Sequence, residues 1–329
     1  MFFRNVRGMV LLAIVSLFIT GLWTAGSALA QGKEYPEKQI EIVIGFTPGG
    51  PIDLSSRIIA EGLSKELKVP ITFSYKPGAG GGIGVATVIQ AKPDGYTLHT
   101  TFNSSIINLP AMEKKPSFDP IKDLTHIARC AISQLVLTSN SSSKLTSFDA
   151  MIAFAKQNPG KLNCVTSGVA TAGHFLLEYF RKNGINITHV PVKGAAPTLT
   201  NILGGHVDLA LSAYVPVAPH IKAGELRLLA VTSKIPEQPR TPTLPELGFP
   251  EATALEIWLG VYGPPNLPKP VLDRISTGLR NTMQMPSVRE ALEKAGFTPT
   301  YDGPDALKKM ISEDYKVMKE IALAADLVK

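Results

Sequence analysis

Three stretches of the sequence combine residue types at spacings that could do chemistry. The first is "PGAGGGIG" at residues 77–84. A dinucleotide fingerprint needs Gly at i and i+2 and Gly or Ala at i+5. Counting from Gly78, Gly80 or Gly82, the last position falls on Ile83, Val85 or Thr87, so every register fails. No G-K-[ST] follows to make a phosphate loop. What remains is general physics: glycines bare the backbone, and a helix start presents unpaired N–H groups to anions. The second stretch is "FTPGGPID" (46–53), where Gly49 and Gly50 open the backbone and Asp53 either caps a helix or touches a ligand. The third is "TSGVATAGH" (166–174), with hydroxyls on Thr166, Ser167 and Thr171 and first-turn amides from Ala172 to His174. A catalytic reading pairs Ser167 with His174 and an acid such as Asp208, as a secreted hydrolase would. Against it, no G-x-S-x-G elbow surrounds Ser167. Paired carboxylates and H-x-x-x-H or H-E-x-x-H patterns are also lacking, so no metal site and no cofactor are expected. The three loops suit a binder that holds an anion by backbone and hydroxyl groups.

Each loop needs a strand before it and a helix after it. "QIEIVIGF" (39–46), "ITFSY" (71–75) and "DGYTLHTT" (94–101) read as strands, with helices over 53–67 and 83–92 between them. Strand–helix–strand–helix–strand predicts a parallel sheet with right-handed crossovers. The pattern restarts with strands at 134–139, 162–167, 187–192, 207–213 and 226–233, and helices at 147–160, 172–184 and 196–205. A strand at 257–265 and helices at 268–283, 287–295 and 304–326 close the chain and pack most simply onto the first unit. The fold class is therefore α/β, with two α/β domains, hinge crossings near 126–134 and 250–262, and a ligand cleft between the carboxyl ends of two sheets. The division expected is 1–30 as a leader, 31–130 plus 255–329 as domain 1, and 131–254 as domain 2.

The leader is a signal peptide by pattern. Arg4 and Arg7 precede an apolar run from Met9 to Thr20, and Ala28-Leu29-Ala30 gives a small-x-small cleavage site. A membrane anchor is the alternative, but the run is short for a span. Cleavage after Ala30 would leave a chain starting at Gln31 in the periplasm. Its net charge falls from +6 to about +4 without the two leader arginines. No basic run and few aromatics argue against nucleic acid. Cys130 and Cys164 would sit in an oxidising space, where a disulfide is open to them, but both lie in strand-like segments and read as two buried thiols.

Taken together, "YPEKQIEIVIGFTPGGPID", "KPGAGGGIG", "KPDGYTL", "TSGVATAGHFLLEYF", "HVPVKGAAPTLTNILGGHVDLAL", "PHIKAGELRLLAVTS", "TPTLPELGF" and "WLGVYGPPNLPKPV" resemble the Bug-type extracytoplasmic solute receptors. These are the substrate-binding components of tripartite tricarboxylate transporters. The resemblance implies a type II periplasmic-binding-protein fold that closes on a small carboxylate, a di- or tricarboxylate or an aromatic acid, and delivers it to membrane permease subunits. It implies no enzyme activity and a carboxylate held by main-chain N–H groups, hydroxyls and water. Carried over, the first-domain contacts are Phe46, Thr47, Pro48, Gly49, Gly50, Ala79, Gly80, Asn103, Ser104 and Ser105. Those of the second domain are Ser167, Thr171, Ala172, His174, Lys193 and Ser212. The chain is expected to act as a monomer, and an accessory role beside a sensor kinase shares the same fold and ligand. Two positions depart from the family pattern: Gly82 stands where Asn is usual, and Val192 where Tyr is usual.

Overall fold

The computed structural model describes residues 35–328. The expected signal peptide, with its cleavage after Ala30, lies outside them. The chain opens with β1 (Ile40–Ile44), α1 (Pro51–Leu67), β2 (Ile71–Tyr75), α2 (Gly82–Ile89) and β3 (Thr97–Phe102). Short turns over Ser104–Ala111 lead to β4 (Thr125–Ser133). The second series is β5 (Leu135–Asn140), α3 (Phe148–Gln157), β6 (Asn163–Thr166), α4 (Ala172–Lys182), β7 (Thr188–Pro191), α5 (Ala195–Leu203), β8 (Leu209–Ala213), α6 (Tyr214–Lys222) and β9 (Leu226–Val231). The return brings β10 (Ile257–Gly263), α7 (Lys269–Thr282), α8 (Pro286–Lys294), β11 (Thr298–Asp302) and α9 (Pro304–Ala324).

The strands form two mixed sheets, in the orders β11-β4-β10-β3-β1-β2 and β7-β6-β8-β5-β9. Strands β1, β2 and β3 are parallel, as the crossover pattern requires, while β10 runs antiparallel to both β3 and β4. In the second sheet β6 is parallel to β7 and β8, and β5 is antiparallel to β8 and β9. The chain crosses between sheets twice: at Gln134, and over residues 232–256. The crossings lie side by side, because Ile257 pairs with Ser133 in register.

Two elements go beyond the sequence reading. Helix α6 carries Pro216 within it and Pro219 in its interior, which obscures its helical signal. Strand β11 is short and contains Pro299, tolerated because β11 is the edge of its sheet. The closing segment also does more than pack onto the first lobe. Strands β10 and β11 join the six-stranded sheet, but α9 rests on both β4 and α4. One apolar cluster consequently runs from Ile106 and Ile107 through Leu307 and Ile311 to Phe175 and Phe180. Cys130 in β4 and Cys164 in β6 are free, fully buried and in different sheets. Burial pushes the Cys130 thiol up to about 12.

The glycine run is held against the end of β1 by direct backbone contact. A Cβ on Gly84 would lie 2.6 Å from the Gly45 Cα, and one on Gly45 would lie 2.7 Å from the Gly81 carbonyl oxygen. Beneath this contact His99 is fully buried, its Nδ1–H donating to the Val43 carbonyl at 2.8 Å, with no partner at Nε2. Burial holds this imidazole neutral, lowering its pKa from 6.5 to about 4.

Two predictions follow from this packing. Gly84→Ala should cost on the order of 1–3 kcal/mol in denaturant unfolding, since the obstacle is backbone that cannot swing away, even though Ala favours a helix by about 1 kcal/mol. An unchanged midpoint would mean that the two backbones do not touch. For His99, the unfolded chain takes up a proton below 6.5 while the folded chain waits until about 4. Stability from this group is therefore lost as pH falls across that window, by up to about 1.4 kcal/mol per pH unit. The stability difference between the wild type and His99→Gln should shift by that slope from pH 6.5 to 4. Parallel profiles would refute a neutral buried His99.

Candidate functional site

The carboxyl ends of β1, β3, β6 and β8 converge on a cavity of about 240 Å³. Its first-lobe wall is Phe46, Pro51, Ile52, Phe102, Asn103 and Ser104. Its second-lobe wall is Leu135, Ser167, Thr171, Ala172, Gly173, Ala195, Leu211, Ser212 and Ala213, and Ile257 closes it where the chain returns. No charged side chain is among these lining residues. The polar lining residues are Asn103, Ser104, Ser167, Thr171 and Ser212, and the others are apolar or glycine.

Helix α4 begins at the cavity. Its N-cap Thr171 accepts a hydrogen bond from the His174 N–H at 3.4 Å and donates its own hydroxyl to the Gly168 carbonyl at 2.7 Å. Ala172 and Gly173 line the cavity, and their first-turn N–H groups have no acceptor within the helix. The positive end of the helix dipole points the same way. A carboxylate placed there would meet backbone donors rather than a salt bridge.

On the first lobe, Asn103 is spent at both ends of its amide. Its Nδ2 donates to the Glu256 carbonyl at 2.8 Å, and its Oδ1 accepts from the Trp258 N–H at 3.3 Å. Ser105 is fully buried, with its hydroxyl donating to the Gly80 carbonyl at 2.8 Å. Thr47, Pro48 and Gly49 are exposed on the loop beside Phe46, and Gly50 is the half-buried N-cap of α1. Asp53 is a brace for this loop. It sits in the first turn of α1 and reaches back to accept the Gly49 N–H at 2.8 Å, while accepting from Arg57 Nε at 2.9 Å and the Tyr75 hydroxyl at 2.7 Å. Burial alone would raise its pKa, but these donors together hold it below the ordinary carboxylate range.

Of the residues expected at the site, Phe46, Asn103, Ser104, Ser167, Thr171, Ala172 and Ser212 line the cavity. Ala79 lies elsewhere, in a separate groove of about 420 Å³ with Gly82, Ile83 and Leu109. Gly82 therefore faces that groove, and an Asn there would meet Leu109 rather than the cleft. Lys193 is exposed, and Val192 packs with the Val165 and Ile202 cluster. His174 sits behind the wall: its Nδ1 accepts the Ala170 N–H at 3.2 Å, and its ring stacks on His189 with centroids 4.4 Å apart. Burial first, then His189 and Arg181, lower its pKa to about 4. The apolar lining carries no signal in the sequence, where Ile52, Leu135 and Ile257 look like ordinary core positions.

The hydrolase set is not assembled. Ser167 Oγ lies 3.4 Å from the Thr198 hydroxyl, and no hydrogen bond joins it to His174 among the described residues. Asp208 accepts the Asn163 N–H at 2.9 Å, at the start of β6, whereas Ser167 follows the end of that strand.

The chain is similar to known proteins over most of its length. Residues 55–327 match the family model of the tripartite tricarboxylate transporter family receptor. Protein BugT of Bordetella pertussis is 32% identical over 310 residues, covering 92% of this chain and 94% of BugT. A solved periplasmic transporter superposes with a TM-score of 0.77 at 30% identity, covering 89% of this chain and 99% of its own. An R. palustris protein solved with adipate superposes with a TM-score of 0.75 at 27% identity, again covering 89% and 99%. On the span of the family model and the relatedness to BugT, the chain belongs to the tripartite tricarboxylate transporter receptor family.

Proposed function

We propose that the chain is an exported receptor that captures a small carboxylate between its lobes, closes on it, and presents it to membrane permease subunits without altering it. The observation that carries this reading is the uncharged cavity shared by two sheets, with the start of α4 aimed into it. Backbone N–H groups at Ala172 and Gly173 and the Ser167 hydroxyl would take the carboxylate, with Thr171 and Ser212 shaping the wall through their bonds to the Gly168 and Ala213 carbonyls and Asn103 and Ser104 on the facing wall. The exposed stretch 47–49 would reach the ligand as the lobes close. The lobes would divide at the two crossings, Gln134 and residues 232–256, with the six-stranded sheet in one lobe and the five-stranded sheet in the other, so that 131–133 stay with the first lobe rather than opening the second. The relative bound to adipate supports a carboxylate as the ligand class. Closure is favoured only by contacts that the ligand makes with both walls at once.

The test is a thermal-shift and calorimetry panel of adipate, malate, citrate and benzoate on the mature chain. At least one acid should stabilise the fold by about 2.7 kcal/mol at a hundredfold excess over Kd, and should be recovered chemically unchanged. Ser167→Ala, which removes a wall hydroxyl held only by a 3.4 Å contact to Thr198, should weaken that acid about tenfold, in line with the cost of about 1.4 kcal/mol for one lost hydrogen bond. A panel that moves no melting curve would overturn the reading.

A further inference from the structure

The second crossing between the sheets ends at Glu256, immediately before β10. Its side chain is 13% exposed and faces both lobes. One carboxylate oxygen accepts a hydrogen bond from the Ser233 hydroxyl. Ser233 is carried by the five-stranded sheet, because its neighbour Thr232 donates its N–H to the Leu135 carbonyl at 3.0 Å and accepts the Leu135 N–H at 3.1 Å. The other carboxylate oxygen lies 3.5 Å from Arg129 Nη1, on β4 of the six-stranded sheet. Arg129 is anchored in turn by Asp302 on β11, through its Nε at 2.7 Å. The main-chain carbonyl of Glu256 accepts from Asn103, whose side chain lines the ligand cavity. Ile257, the next residue, lines that cavity too.

We infer that Glu256 is a positioning residue that couples the orientation of the lobes to the shape of the cavity wall. Its carboxylate ties Ser233 on one lobe to Arg129 on the other, and its carbonyl holds Asn103 in place. A change in the angle between the lobes turns the backbone at Glu256, so the latch and the Asn103 amide move together. The charge balance supports a tie rather than a structural ion pair alone. Arg129 faces Glu256, Asp302 and Asp314, three carboxyl groups against one guanidinium. Burial pushes the Asp314 carboxyl up to about 7, with Arg129 and the Trp258 indole opposing that shift. Burial raises the Glu256 carboxyl, with the Ser233 hydroxyl and Arg129 opposing that shift, and Arg129 makes its shorter contact, 2.7 Å, with Asp302 rather than with Glu256.

The inference rests on the receptor reading for its affinity measurement only. Ser233→Ala cuts the second-lobe arm, and Glu256→Gln removes the charge while keeping the side chain's shape. Each should speed amide hydrogen exchange over residues 103–108 in the ligand-free protein and shift its small-angle scattering profile. Each should also weaken adipate, or whichever acid of the panel binds, by about tenfold, and the double variant should be no worse than the worse single one. Melting temperature serves as the check that both variants fold. Unchanged exchange, scattering and affinity in folded variants would overturn the latch, as would affinity losses that simply add. A wild type that binds none of the acids would remove the receptor reading, while the exchange and scattering arms would still decide the role of Glu256.

Discussion

The chain passes between its two sheets twice, and both passages run along one pair of neighbouring strands. Strand β4 leaves the six-stranded sheet at Ser133, and β10 enters it at Ile257 directly opposite. This pairing places the two passages side by side on neighbouring strands. It also explains why residues near the crossings belong to the cavity. Leu135 stands two residues past Ser133, Ile257 is the first residue of β10, Asn103 is held by the main chain on either side of Ile257, and all three line the same space. The strand ends form the walls, and residues beside the crossings complete them.

The cavity holds no charged side chain, and the surrounding ionisable groups are arranged to stay out of it. Asp53 is consumed by Gly49, Arg57 and Tyr75; His174 is turned toward Ala170 and His189; Arg129 is held at the crossing by Asp302. An anion entering such a space gives up water and regains hydrogen bonds only where backbone N–H groups and hydroxyls already point at it. Selectivity then depends on the placement of those donors and on the apolar lining. A rejected ligand is one that leaves a donor or its own polar group unpaired.

The alternation of strand and helix made the strand ends legible in the sequence, and with them Ser167 and the loop that starts at Phe46, whereas Asn103 was implied only by the family resemblance. The glycine run was legible as a backbone feature, but its direction was not. Gly84 packs on Gly45, a contact across 39 positions in the chain, and this turns Ala79 toward the groove beside Leu109 instead of the cleft. Periodicity along one segment carries no information about such a contact. The same limit hid Ile52, Leu135 and Ile257, whose apolar character is equally suited to a core. Strand β11 and helix α6 were obscured by their prolines, which an edge strand and a short surface helix accommodate.

Helix α9 has one further consequence. Because it rests on α4 as well as β4, the lobes share a seam of apolar core in addition to their two crossing strands. Any swing that opened this seam would admit water to surfaces around Leu307, Ile311, Phe175 and Phe180. Such wetting raises the heat capacity, so the balance between open and closed forms would curve with temperature. A swing that spares the seam leaves no such signature. The calorimetric trace of ligand capture would therefore report which way the lobes part.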